Sequence, residues 1–170
     1  PMDWLRMKEL LMQRRSLMQM ALLAPLAGTA GLARAHHGWS SFDQARPIYL
    51  EGKAVEVKWR NPHAELLLEL PNPLALPADL AQRPVPAQTA SIDGAALLGK
   101  AVLPTRKDRR WEIELAPLFR LGQWQMPEIT PGTELSVVGF TFKDEAGAAL
   151  VRAEYVFLAG KAYGLRSSPV

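Results

Sequence analysis

The sequence predicts an all-β protein, a small five-stranded barrel with one short helical connection, and three observations carry that prediction. From Ile48 onward, apolar and polar residues alternate with the period of two expected of strands whose two faces meet different surroundings. Turn-forming pairs, Asn61-Pro62, Pro131-Gly132 and the run Asp144 to Gly147, separate the alternating segments. One segment, Pro117 to Gln125, breaks the alternation, with proline where a helix starts and Gly122 near where it stops. Three strands, a helical connection and two strands are the order of an OB-like, partly open barrel.

The elements follow in order. Ile48 to Trp59 is a long first strand, with Val55, Val57 and Trp59 on one face and Gly52 where the strand can bend or bulge. His63 to Leu70 is a second, placing Ala64, Leu66, Leu68 and Leu70 on one face and Glu65, Leu67 and Glu69 on the other. Residues 71 to 105 carry Pro71, Pro73, Pro77, Pro84, Pro86 and Pro104, so they form a proline-rich insertion, within which Asp93 to Lys100 has room for one or two helical turns. Trp111 to Leu115, Thr133 to Lys143 and Ala149 to Leu158 are the remaining strands. Trp59, Trp111, Phe140 and Tyr155 are expected in the core or at the barrel rim, because strands favour aromatic residues without any ligand to bind. A partly open barrel also leaves edge strands on which dimerisation would be plausible.

Charge divides the chain in two. The 170 residues are 48% hydrophobic and 22% charged with a net charge of +3, but residues 1 to 35 hold five Lys/Arg against Asp3 and Glu9, and the remainder holds fifteen of each sign. The basic excess therefore belongs to the leader, and the body lacks the net basic face that nucleic-acid binding needs. Its one local basic run, Arg106-Lys107-Asp108-Arg109-Arg110, reads as solvated loop. No cysteine is present, which excludes disulfides, thiolate zinc sites and cysteine nucleophiles.

Within the leader, Arg14-Arg15 precedes a charge-free apolar stretch from Leu17 to Ala33, and Ala33 and Ala35 are small residues spaced as at a cleavage site. The order predicts a signal peptide over residues 1 to 35, cleaved after Ala35, and hence a periplasmic protein whose contact with the membrane is limited to the uncleaved leader. The alternative, a membrane anchor, needs roughly 20 apolar residues, and Pro25, Gly28 and Gly31 interrupt this run. The paired arginines resemble the twin-arginine export signal; Gln13 and Gln19 depart from its pattern, which leaves the general export route open. Met2, Met7 and Met12 are each candidate starts.

Cleavage after Ala35 would make His36 the first mature residue, with a free α-amine beside its imidazole. Those two nitrogens chelate one ion, and a second imidazole completes the three-nitrogen site called a histidine brace, a donor set suited to copper. His63 is the natural second imidazole and His37 the substitute; the chain holds no other histidine. The difficulty is distance: His63 lies beyond the far end of a twelve-residue strand covering roughly 40 Å, so residues 36 to 47 must double back along the sheet. The structural alternative is that His63 caps the Asn-Pro turn and that His36-His37 is a solvated end.

The set His36-His37, Trp59-Arg60-Asn61-Pro62-His63 and Pro131-Gly132-Thr133-Glu134-Leu135-Ser136-Val137-Val138-Gly139, with Leu121-Gly122-Gln123-Trp124 between, resembles an uncharacterised family of exported bacterial small β proteins, a domain of unknown function. The proline-rich insertion and Gln123 depart from that family's pattern. The resemblance implies an exported small β protein and carries no activity with it.

Three functions compete on these grounds. The first is a non-enzymatic periplasmic binding module recognising a small ligand, a glycan or a protein partner. The second is a copper-binding or copper-handling protein using His36 and His63. The third is an oxidative or hydrolytic enzyme at that same site. No His-Glu-x-x-His pair, Gly-x-Ser-x-Gly turn or phosphate-binding glycine pattern is present. Glu112 and Glu114 share one strand face, as paired glycosidase carboxylates would, but such spacing is more simply a solvated sheet face.

Overall fold

The computed structural model describes residues 38–170, so the predicted leader and both His36 and His37 lie outside the described residues. The strands are β1 (Ile48–Lys58), β2 (Glu65–Glu69), β3 (Arg110–Glu114), β4 (Glu134–Phe140), β5 (Leu150–Leu158) and β6 (Lys161–Gly164). Two short helices join them, α1 (Gly94–Lys100) inside the insertion and α2 (Leu118–Gln123) between β3 and β4. Strands β1 to β5 form a closed five-stranded barrel with the expected helical connection in the expected place. The ring closes where β3 runs parallel to β5 through Glu112, Ile113 and Glu114, so the edges expected to stay open pair with each other.

β1 belongs to both halves of the barrel. Its first half, Ile48 to Lys53, pairs with β4, and its second half, Lys53 to Lys58, with β2. The inward residues are Ile48, Leu50 and Ala54, then Val57 and Trp59. That change of phase comes from a bulge between Ala54 and Glu56, which places the irregularity after Gly52. Gly52 instead marks a close approach, since a Cβ there would collide with the Glu69 carbonyl of β2. β2 follows the expected alternation, with Ala64, Leu66, Leu68 and Leu70 buried and the glutamates half-exposed.

The interior is filled by Leu66, Leu68, Trp111, Ile113, Val137, Val151 and Val156, all at most 2% exposed. Leu121 of α2, with Trp124, Met126 and Ile129 after it, joins the same core. Pro117 offers α2 no side-chain cap. The Asn61 side chain supplies one from the β1–β2 loop, its Oδ1 accepting from the Leu118 N–H at 3.2 Å.

The proline-rich insertion packs as part of the fold. Leu80, Leu98 and Ala101 form a second apolar cluster with Tyr49, Val138 and Tyr155, residues of β1, β4 and β5 that lie outside the main barrel core. The Asp93 side chain caps α1 by accepting from the Ala96 N–H at 2.9 Å. β6 departs from the sequence prediction: Ala159 and Gly160, both at positive φ, turn the chain after β5 into a sixth strand outside the ring. β4 ends at Phe140, short of the predicted Lys143, because residues Lys143–Glu145 form a 3-10 turn.

Candidate functional site

His63 sits in the loop between β1 and β2, whose Asn61-Pro62 peptide bond is cis. Directly after it, Ala64 is locked to the end of β3: its N–H donates to the Ala116 carbonyl at 3.1 Å, and its carbonyl accepts from the Leu115 N–H at 2.9 Å. That pairing brings the His63 imidazole to Glu114, with Nδ1 3.5 Å from Oε1 and the His63 side chain 16% exposed.

Glu114 is not part of a solvated face. It is 6% exposed, and Arg152, its opposite number in the β3–β5 ladder, donates from Nη1 to the same Oε1 at 2.8 Å. Burial pulls the Arg152 guanidinium below its usual pKa; Glu114 opposes the shift, while the charges of Arg120 and Arg166 add to it. An arginine so placed stays protonated at any physiological pH.

The Arg152 guanidinium also lies 4.6 Å from the centre of the Trp39 ring. Arg166 lies 4.0 Å from the same ring, and Phe140 meets it edge-on at 6.2 Å between centroids. Gln44 Nε2 donates to the Trp39 carbonyl at 3.1 Å, and Arg166 Nη1 donates to Gln44 Oε1 at 2.8 Å. Beneath this, the fully buried Glu154 accepts from Arg166 Nε at 2.7 Å and from Gln88 Nε2 at 3.0 Å. Gln88 comes from the insertion and accepts in turn from the Ser167 N–H at 3.0 Å. The segment carrying Trp39 is therefore tied to β5, the insertion and the C-terminal residues at once.

This arrangement shortens the path between Trp39 and His63. Roughly 40 Å along β1 separates the two places only if the strand is followed from end to end. Around the barrel, opposed residues run from Lys58 to Glu65, Glu114, Arg152 and Phe140; Gly139, next to Phe140, opposes Ile48 at the other end of β1. Closure of the tilted ring thus brings the start of β1 round to the β2–β3–β5 seam. Trp39 is joined to His63 by just two intervening side chains, Arg152 and Glu114.

Arg152, Arg166, Trp39 and Glu154 escaped the sequence reading of the site. The available signal was the pair of charges at Arg152 and Glu154 inside an otherwise apolar strand, a pattern shared by any strand with one wet face. The basic run at Arg106 to Arg110 is engaged with its own surroundings: Arg106 pairs with Asp108 at 2.8 Å, Arg109 donates to the Leu70 carbonyl at 3.2 Å, and Arg110 lies 3.6 Å from Glu69. Elsewhere, a groove of about 580 Å³ opens where β1 passes from β4 to β2, lined by Glu51, Lys53, Glu69, Glu134, Ser136 and Phe157 among others.

Among the described residues, no group of three or more His, Cys, Asp or Glu side chains is placed to hold a metal ion, and no helix is long and apolar enough to cross a membrane. No curated protein and no solved structure matches the chain. The model of a family of unknown function, DUF6152, matches residues 23–76, a stretch that spans the His36-His37 pair, β1, the turn bearing His63, and β2.

Proposed function

We propose that the protein is an exported, periplasmic binding module whose ligand is a copper ion, held between the α-amine and imidazole of His36 and the imidazole of His63, with His37 as the alternative donor. The observation that supports this reading is the packing of Trp39 against Arg152, one ion pair away from the Glu114 carboxylate that contacts His63. His36 precedes Trp39 by three residues, and the brace requires the chain to span no more than the roughly 10 Å that three residues can cover. Three nitrogen donors favour copper over the other common divalent ions, and a chain without cysteine has no thiolate to divert it.

The groove beside Gly52 supports a second reading, a module for a small organic ligand with no metal, because its walls combine the Phe157 ring and Leu135 with the charges of Glu51, Lys53 and Glu134.

The experiment is to express the full chain in a bacterial host, recover the periplasmic product and record its native intact mass with and without supplied copper. The copper reading expects a chain beginning at His36 that carries one copper ion, and a His63→Ala variant that loses it. A chain still carrying its leader, or undiminished copper affinity in His63→Ala, rules the brace out. A copper-free chain that retains an organic mass supports the second reading.

A further inference from the structure

We infer that Glu114, held in place by Arg152, is a positioning residue that keeps the His63 ring proton on Nδ1 and leaves Nε2 as the only ring nitrogen with a lone pair to give. The purpose assigned to this device rests on the copper reading; the proton placement itself does not.

The argument begins with the environment of Nδ1. That atom is shielded from solvent, and Glu114 Oε1 lies 3.5 Å from it. A neutral imidazole carries its proton on one nitrogen and a lone pair on the other. A bare Nδ1 would set its lone pair against a carboxylate with no water between them, a repulsion of like partial charges in a poorly screened place. A protonated Nδ1 turns the same contact into an attraction. The carboxylate therefore selects the Nδ1–H tautomer, as carboxylates behind metal-binding histidines generally do.

Glu114 can do this only while it is fixed and charged, and both conditions come from β5. Arg152 Nη1 holds the same oxygen at 2.8 Å. The β3–β5 ladder sets the two residues directly opposite each other. The imidazole side is fixed as tightly, because Ala64 is clamped between Leu115 and Ala116. Orientation thus passes from the barrel seam through Arg152 and Glu114 to the ring, whose loop is held at Ala64. Because Arg152 also lies over the Trp39 ring, one guanidinium meets both Glu114 and the segment that leads into β1.

The first test needs no metal and no substitution. In the metal-free, ¹⁵N-labelled full chain, a long-range proton–nitrogen correlation spectrum reports which nitrogen of each imidazole is protonated, and the His63 signals are those lost in His63→Gln. The expected result is a protonated Nδ1 and a bare Nε2. A protonated Nε2 with a bare Nδ1 overturns the inference.

The second test uses Glu114→Leu combined with Arg152→Met. Removing the ion pair as a unit avoids the lone buried charge that a single substitution leaves behind. In this variant His63 should move toward the Nε2–H form preferred by a free histidine side chain, and copper affinity should fall about 10- to 100-fold. Wild-type copper affinity in a folded double variant would overturn the positioning role. If the wild-type chain binds no copper, the copper reading fails while the tautomer measurement still decides the assignment of Glu114. If the double variant does not fold, the wild-type spectrum decides it alone.

Discussion

At the scale of single residues, Trp39 carries more than its place at the edge of the fold suggests. Its ring faces two guanidinium groups at 4.6 and 4.0 Å, each anchored from behind by a buried carboxylate, Glu114 or Glu154. A cation held by a carboxylate loses little further entropy on meeting a ring, so these contacts return more than mobile surface pairs would. Trp39→Ala is expected to lower unfolding free energy by about 2 kcal/mol, measured by denaturant titration, with the barrel still folded because both ion pairs remain. Trp39→Phe, which keeps a ring face, should recover much of the loss. Wild-type stability in Trp39→Ala would mean that the stacked arginines gain nothing from the ring.

At the scale of elements, β1 shows what alternation can and cannot convey. Its inward residues change phase at the bulge between Ala54 and Glu56, and because Ala54, Val55 and Val57 are all apolar, no break in the pattern announces the shift. Gly52 was legible as a special position, though its reason is the approach of the Glu69 backbone rather than a bulge. Gly52→Ala should destabilise the protein by about 2 kcal/mol or more, since the obstructing atoms are backbone and cannot rotate away. Gly122→Ala, at an exposed helical position with nothing within 4 Å of the added carbon, should instead stabilise by about 0.5–1 kcal/mol. Thermal or chemical denaturation of the two variants checks the contrast. β2 and β3 were legible because a buried apolar residue recurs at every second position, Leu66 and Leu68 in one and Trp111 and Ile113 in the other. β6 was not, because Ala159 contributes no turn signal although it takes a positive φ of 50°. The site was half legible: His63 stood out as one of three histidines, whereas Glu114, Arg152 and Glu154 looked like any solvated strand face. Only the folded arrangement, which lays Trp39, Gln88 and Arg166 over them, makes them interior.

At the scale of the whole molecule, one carboxylate ties the end of the insertion and the approach to β1 to the loop between β4 and β5. Glu145, 6% exposed, accepts from the N–H groups of Thr105 and Arg106 at 2.9 Å and from Arg46 Nη1 at 2.6 Å. Three segments distant in sequence, the approach to β1, the end of the insertion and the β4–β5 loop, meet on that side chain. It holds a positive φ of 53° to reach them, a strained conformation that its bonds must offset. Burial alone would raise its pKa, but the backbone N–H groups and Arg46 outweigh burial and hold the carboxyl at about 2, against an ordinary 4.5. A group whose pKa is depressed on folding contributes stability that is complete above its unfolded value and is lost as pH falls toward its folded one. Glu145 should therefore stabilise the protein fully above about pH 4.5 and progressively less down to about pH 2. Glu145→Gln is expected to cost about 2–3 kcal/mol at neutral pH. Denaturant unfolding of both proteins between pH 7 and pH 2 gives the check: the gap between them should narrow as the solution is acidified through this window. A gap that stays constant across the window would mean that the charge of Glu145 contributes nothing, and that its carbonyl oxygen alone, which Gln retains, holds the three segments together.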